Sequence, residues 1–344
     1  MKRRTFVKIA GAMTAQAGVL VARDSGGQTG VTAPAMVSAN PFLQQGRWYK
    51  AALHVHTTTS DGDVDVATRL AEYRAAGYEV VAVTDHWKTN DLSRCSDDGF
   101  LAISGMEAHP DTGTGAPKHH FVCLNLPHPF ELAQDLPAQT LIDKVIEVGG
   151  QVIYAHPYWS AHTLEEMTEV RGYVGMEVFN GVCHLRWRKG HGSVHWDQLL
   201  NKGRLLPAMA TDDVHKTSEI DQGWTMIKAP SLDPAAIMHA IASGCYYSSC
   251  GPVIEDCRIE ADAIGITTSP VKKISFFFDG AAGGRIVQAA AGETITHANW
   301  RFGGDKRRYR WIRAEVEDPD GHFAWINPMA VDAPPSTQGK SQGT

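Results

Sequence analysis

Four separate apolar runs in this chain end in a histidine or in an acid–histidine pair, and that recurrence narrows the folds open to it. Leu53-His54-Val55-His56 closes the first. The run from Val80 to Val83 continues through Thr84-Asp85 to His86. The run from Val152 to Ala155 continues to His156, and the run from Leu205 to Ala210 continues through Thr211-Asp212-Asp213-Val214 to His215. Short valine- and isoleucine-rich runs of this kind predict strands. In a strand, His54 and His56 at i and i+2 project from one face and can reach one ion. Helical patterns alternate with the runs at residues 64–76, 139–148, 194–201 and 234–242, and glycines stop several of them. Strands alternating with helices predict an α/β chain with a mostly parallel sheet, best matched by a (β/α) barrel of about seven or eight strands. In such a barrel all strand C-termini open on one mouth. One buried histidine at a strand end would be unremarkable; four segments converging on one mouth predict a metal centre.

Two further strands, residues 100–106 and 121–126, bring Glu107 and the pair His119-His120. Glu107 follows its strand, whereas the histidines precede theirs, which is the wrong end for a parallel barrel. Antiparallel pairing would set the end of the first strand beside the start of the second and bring Glu107 and a histidine together. His120 directly abuts the strand and is the choice; a slip of one residue would present His119 instead.

The remaining pattern divides the chain. Residues 1–39 begin Met1-Lys2-Arg3-Arg4-Thr5-Phe6-Val7-Lys8 and continue into a short apolar run at 9–22. That form is an export signal of twin-arginine type, which carries folded proteins, so an exported, periplasmic or secreted location is expected. The run is too short to span a bilayer comfortably, and no stable membrane insertion is expected once the signal is removed. Residues 40–250 hold the barrel pattern. After Pro252 the chain turns to strands at 274–278, 311–317 and 323–326, punctuated by Asp279-Gly280 and Asp320-Gly321, which predicts a small antiparallel β unit over 251–332. Residues 333–344 have the composition of a disordered tail. The net charge of −6 over 344 residues supplies no basic field for a nucleic-acid scaffold. None of the six cysteines forms a C-x-x-C pair, so a thiolate site is not expected. Buried or free thiols are the simpler expectation, with a Cys250 bridge to Cys257 or Cys245 as the alternative.

Taken in order, His54-x-His56 with Asp61-Gly62, Thr84-Asp85-His86, Gly105-x-Glu107, His120, Ala155-His156-Pro157 and Asp213-x-His215 resemble the motif set of the PHP (polymerase and histidinol phosphatase) family over roughly residues 50–250. The resemblance implies a distorted seven-stranded barrel holding two or three divalent ions. It implies one ion on His54, His56, Glu107 and Asp213. A second would be shared through Glu107 with His120 and His156, and a third would sit on Asp61, His86 and His215. One departure is Asp212, an acid where the family usually has a small residue; it could support a ligand or replace Asp213 as one. The leader, the Trp-Tyr-Lys segment before His54 and residues 324–328 resemble a branch named after a carbamate-insecticide hydrolase.

Imidazole and carboxylate ligands without thiolates suit Zn, Mn or Fe(II). Clustered ions lower the pKa of a bound water, so hydroxide exists near neutral pH. The function implied is a metal-dependent phosphoesterase or phosphatase acting on a small, anionic, phosphorylated or nucleotide-like substrate. Hydrolysis of a carbamate, ester or amide on the same centre is the alternative, and a secreted metal-binding protein with an interacting β unit is the alternative of another class. Asp85 or Asp212 is expected to orient a ligand histidine. Arg186, with Arg188, Lys189 and His191, is expected on a basic loop near the mouth as an anion clamp, or as a solvated loop. Glu177 and Asn180 resemble positions lining the site.

Overall fold

The computed structural model describes residues 38–110, 119–260, 262–280, 283–302 and 309–331. All of them belong to one unit, Ala35–Thr344. Residues 1–37 of the leader and the whole C-terminal tail inferred from sequence lie outside the described residues.

The strands that deliver the site are β1 (Arg47–Ala52), β2 (Val80–Val83), β3 (Leu101–Ala108), β4 (Phe121–Leu124), β5 (Gln151–Tyr154), β6 (Gly175–Asn180) and β7 (Ala208–Thr211), hydrogen-bonded in that order. The pairs β1–β2, β2–β3, β5–β6 and β6–β7 are parallel, while β3–β4 and β4–β5 are antiparallel. Just beyond β1 and β7 the two ends meet. Val55 bridges Val214 in parallel, His56 N–H donates to Val214 O at 3.0 Å, and Asp213 N–H donates to His54 O at 3.1 Å. The seven strands thus close on themselves at the end that carries the histidines. β2, β4 and β7 are buried at every residue, which is why they appear in sequence as unbroken apolar runs.

Helices α1 (Val66–Ala75), α2 (Ala138–Glu147), α3 (Leu164–Glu169), α4 (Gly181–Trp187), α5 (Ser193–Asn201) and α6 (Pro234–Ala242) connect or flank the strands. Asp65 caps α1 by accepting from Thr68 N–H at 2.8 Å, and Asp233 caps α6, which starts at proline. The segment holding Arg186 is therefore not a loop: Arg186 lies on α4, and Arg188 is that helix's left-handed C-cap, at φ 59°.

The sheet does not stop at β1. Its other edge pairs antiparallel with β8 (Trp224–Ala229), then β9 (Tyr246–Ser249), and continues into the C-terminal strands β16 (Phe323–Ile326), β15 (Trp311–Glu317), β12 (Lys273–Phe278) and β13 (Arg285–Gln288). A second, three-stranded sheet of β10 (Ile254–Glu260), β11 (Ala263–Val271) and β14 (Ile295–Arg301) encloses with it a core including Cys257, Ile264, Ile274, Phe276, Ala314 and Val316. The antiparallel β region is thus one extension of the barrel sheet plus one layer packed on it. Arg313, fully buried on β15, ties it to α5 through a two-point ion pair with Asp197 at 2.7 and 2.9 Å and lies over the rings of Phe277 and Trp196. Asp197→Ala strands that guanidinium, and an unfolding curve should show a loss of about 2 kcal/mol; an unchanged midpoint would show that Glu315 alone satisfies it. All six cysteines are thiols.

Candidate metal centre

His54 and His56 lie on the extension of β1, and alternation sends both imidazoles to the barrel mouth. Each leaves its Nε2 buried with no hydrogen-bond partner, as do His86 Nδ1 and Asp213 Oδ1. These orphaned atoms face one another around common points. Glu107 Oε2 lies 3.2 Å from His54 Nε2, 3.4 Å from His56 Nε2 and 3.1 Å from His86 Nδ1; its Oε1 lies 2.7 Å from His120 Nδ1 and 3.2 Å from His156 Nε2. Asp213 Oδ1 lies 3.3 Å from His54 Nε2 and 3.1 Å from His56 Nε2. Ligands about 2.1 Å from a tetrahedral ion stand about 3.4 Å apart. The spacing and the buried lone pairs fit divalent ions.

Three ligand sets result: His54, His56, Glu107 and Asp213; Glu107, His120 and His156; and His56, Asp61, His86 and His215. All nine residues expected from sequence come together, and Glu107 belongs to two of the sets. His56 also faces the third, its Nδ1 3.6 Å from Asp61. The antiparallel β3–β4 pair aligns Glu107 with Val122 and so brings His120 beside the carboxylate, as the reversed-strand argument requires. His119 points elsewhere, to Tyr154 OH at 2.8 Å. Asp213, not Asp212, reaches the centre. Asp61 gets there because the loop folds tightly over β1's extension: a Cβ on Gly62 would stand 2.6 Å from His56 O.

Two expected roles need correction. Asp85 bonds no histidine. Its carboxylate accepts from Thr57 N–H and Oγ1, from Ser60 N–H and Oγ, and from Asn90 Nδ2, all at 2.7–3.2 Å, so it braces the turn leading to Asp61. Only Ser60 Oγ, 3.4 Å from His56 Nδ1, links it to a ligand. Asp212 is turned away, accepting from Tyr73 OH and from the N–H groups of Asp221, Gln222 and Gly223. Burial pushes its carboxyl up to about 6, against those donors. Both acids shape loops because a buried carboxylate collects whatever donors the backbone offers.

The residue that orients a ligand is Glu177, whose central role sequence reasoning missed. Its Oε1 accepts from His54 Nδ1 at 2.7 Å and Thr211 Oγ1 at 2.9 Å; its Oε2 accepts from His156 N–H and Asn180 Nδ2, both at 2.9 Å. Asn180 in turn donates to Asp213 Oδ2 at 3.1 Å. A carboxylate in the middle of a wholly buried strand was the available signal, since such a charge persists only when fully paired. Glu177→Gln should weaken metal binding roughly 10- to 100-fold in a competition titration with a chromophoric chelator; unaltered affinity would mean that packing alone holds His54.

The centre is strongly polarised. Burial opposes a charge on His54, but the Asp213, Glu107 and Glu177 carboxylates outweigh it and raise its pKa well above the ordinary value. Burial likewise opposes ionisation of Glu107, yet the surrounding histidines hold its carboxyl well below the usual range.

A cavity of about 230 Å³ opens over the centre, lined by the candidate ligands Asp61, His86, His120 and His215 together with Trp159, Val182, Cys183, Arg186 and Trp187. Arg186 reaches this cavity but is paired through Nε and Nη2 with Glu219 Oε1 at 2.9 and 2.5 Å. Glu219 Oε2 accepts from His215 N–H at 3.0 Å, so the pair also steadies the His215 loop. Burial, with the nearby Asp213, Glu177 and Glu107 carboxylates, pushes the Cys183 thiol up.

No protein-family model and no curated protein matches the chain. Several solved structures are similar to it. A two-domain protein from Bacteroides vulgatus containing a predicted PHP-like metal-dependent phosphoesterase aligns over 88% of this chain and 100% of its own, at 16% identity and TM-score 0.48. PsfC from Pseudomonas syringae aligns over 58% and 90%, at 14% identity and TM-score 0.43. An amidohydrolase from Chromobacterium violaceum aligns over 48% and 87%, at 17% identity and TM-score 0.38. At these scores the likenesses do not decide the chemistry; the ligand geometry has to.

Proposed function

We propose that this chain is a metal-dependent hydrolase of PHP type that cleaves a small phosphoester, with two or three divalent ions on the nine residues above. The observation that carries the reading is Glu107, whose two carboxylate oxygens each face a different group of histidines. Divalent ions held by these residues would supply an activated water and positive charge for the non-bridging and leaving oxygens. The chain's own part is positional. Glu177 fixes His54, Asn180 fixes Asp213, and Asp85 fixes the turn that presents Asp61, so the ligands are placed before substrate arrives. The Arg3-Arg4 leader supports export of an already folded, metal-loaded enzyme.

One observation favours a second reading. Arg186 is the only arginine or lysine among the described residues lining the cavity, and Glu219 already takes up its charge. A site whose protein wall offers no free cation suits a carbamate or carboxylic ester as well. Metal-loaded protein incubated with matched phosphate, carbamate and ester substrates separates the two. Inorganic phosphate release supports the first reading, and release of alcohol or amine alone supports the second. No turnover of any of them, with full metal occupancy, defeats both and leaves a metal-binding protein.

A further inference from the structure

We propose that Trp159 and Trp187 form a subsite for a planar aromatic group of the substrate, stacked on the cavity wall while its ester bond reaches the metal centre. This rests on the hydrolase reading for the placement of the ester bond, but not for the stacking itself. Trp159 follows His156 by three residues and stands nearly perpendicular to two ligand imidazoles, 87° to His156 at 5.1 Å and 84° to His120 at 5.7 Å. Trp187 lies 5.6 Å from Trp159, tilted 51°, so the two indoles stand in contact on the cavity lining, with Trp159 against the His120 and His156 rings. Val182 and Cys183 add apolar atoms to the cavity lining, and the one guanidinium among the described lining residues is engaged by Glu219.

Trp187 is held in place although it is 49% exposed. It is the last residue of α4, and the helix closes behind it at left-handed Arg188, with Arg188 N–H donating to His184 O and Lys189 N–H to Cys183 O, both at 3.0 Å. Large apolar side chains left in water beside a polar centre mark a binding surface. Flat, rigid indoles favour a flat partner over an alicyclic one of similar size.

The test is binding of phenylphosphonate against cyclohexylphosphonate to the manganese-loaded protein, by calorimetry. Wild type should prefer the phenyl compound roughly tenfold, the size of one good aromatic stacking contact. Trp187→Ala should bring the ratio close to one, and Trp187→Phe should keep most of it. Because Trp187 is half exposed, its removal leaves the core intact; circular dichroism and metal content confirm that each variant is folded and loaded. A wild-type ratio near one, or a ratio that survives Trp187→Ala combined with Trp159→Leu, overturns the proposal. The measurement needs no turnover. A protein that binds phenylphosphonate selectively but hydrolyses nothing keeps the subsite and loses the hydrolase reading; equal binding with turnover does the reverse. Displacement of phenylphosphonate by adenosine monophosphate more readily than by ribose 5-phosphate assigns the subsite to a nucleobase, and equal displacement by the two assigns it to a simple arene.

Discussion

Glu107→Ala is expected to yield a folded protein that binds at most one divalent ion per chain and has lost at least about 10³-fold in kcat/KM on whatever ester the wild type cleaves. The reason is the way the ligand sets share residues. Glu107 belongs to the set with His54, His56 and Asp213 and to the set with His120 and His156, but not to the set of His56, Asp61, His86 and His215. Its loss leaves the last set whole and takes a bridging carboxylate from both others. Several kcal/mol of charge stabilisation at the reacting bond go with it, and each 1.36 kcal/mol is tenfold in rate. Asp61→Ala is the companion experiment, because Asp61 belongs to the last set alone and its side chain is half exposed. It should lose one ion and keep the others. Metal analysis of the two purified variants reads the pattern directly. Should Glu107→Ala retain its full complement, the bridging geometry is wrong; should it retain the ions only as Glu107→Gln, oxygen donation from an amide suffices.

Much of this centre was legible because strand logic and ligand chemistry point the same way. Runs such as residues 80–83 and 152–155 are short, β-branched and terminated by a ligand, and the barrel sends every such terminus to one mouth. The reversed position of His120 relative to its strand was itself informative, since only an antiparallel β4 makes sense of it. What stayed hidden depends on contacts far apart in sequence. Glu177 acquires its role from His54, 123 residues earlier, and nothing local to β6 names that partner. α4 carries Gly181 and is followed by Gly190 and Gly192, a loop-like composition; it becomes helical because Asn180 caps it, accepting from Cys183 N–H at 2.9 Å, and because its first turn is buried. β9, Tyr246-Tyr247-Ser248-Ser249, lacks apolar alternation, yet Ser248 Oγ donates to Ala208 O inside the barrel and Ser249 Oγ to Pro252 O. Asp85 and Asp212 stand beside candidate ligands in the chain, and adjacency suggested a shared task; both lie past the ends of their strands, where Asp213 takes a left-handed backbone at φ 58° and its neighbour Asp212 collects the N–H groups of residues 221–223 instead.

Chelation should lower the melting temperature, and the deficit should widen as pH rises from about 6.5 to 9. With ions present, His54 Nε2, His56 Nε2 and Asp213 Oδ1 have partners; without them these buried atoms have none, and only protons can compensate. An ion present at about 100 times its Kd contributes about 2.7 kcal/mol, so two ions account for a shift on the order of 10 °C in a chain of this size. The pH dependence follows from His56. Burial lowers its pKa, but the Asp213 and Glu107 carboxylates close to its Nε2 raise it more, from an ordinary 6.5 to about 9 in the metal-free centre. A folded-state pKa above the unfolded one stabilises the fold fully below 6.5, and that contribution is lost as pH rises through about 9. The stripped protein therefore loses support across this window. The loaded protein does not, because its imidazole lone pairs are already committed to ions. Melting curves at pH 6.5 and 9, with and without a chelator, give the comparison. A deficit of the same size at both pH values would show that protons do not substitute for metal on His56, and no deficit at either would mean that the nine ligands hold no ion that matters to the fold.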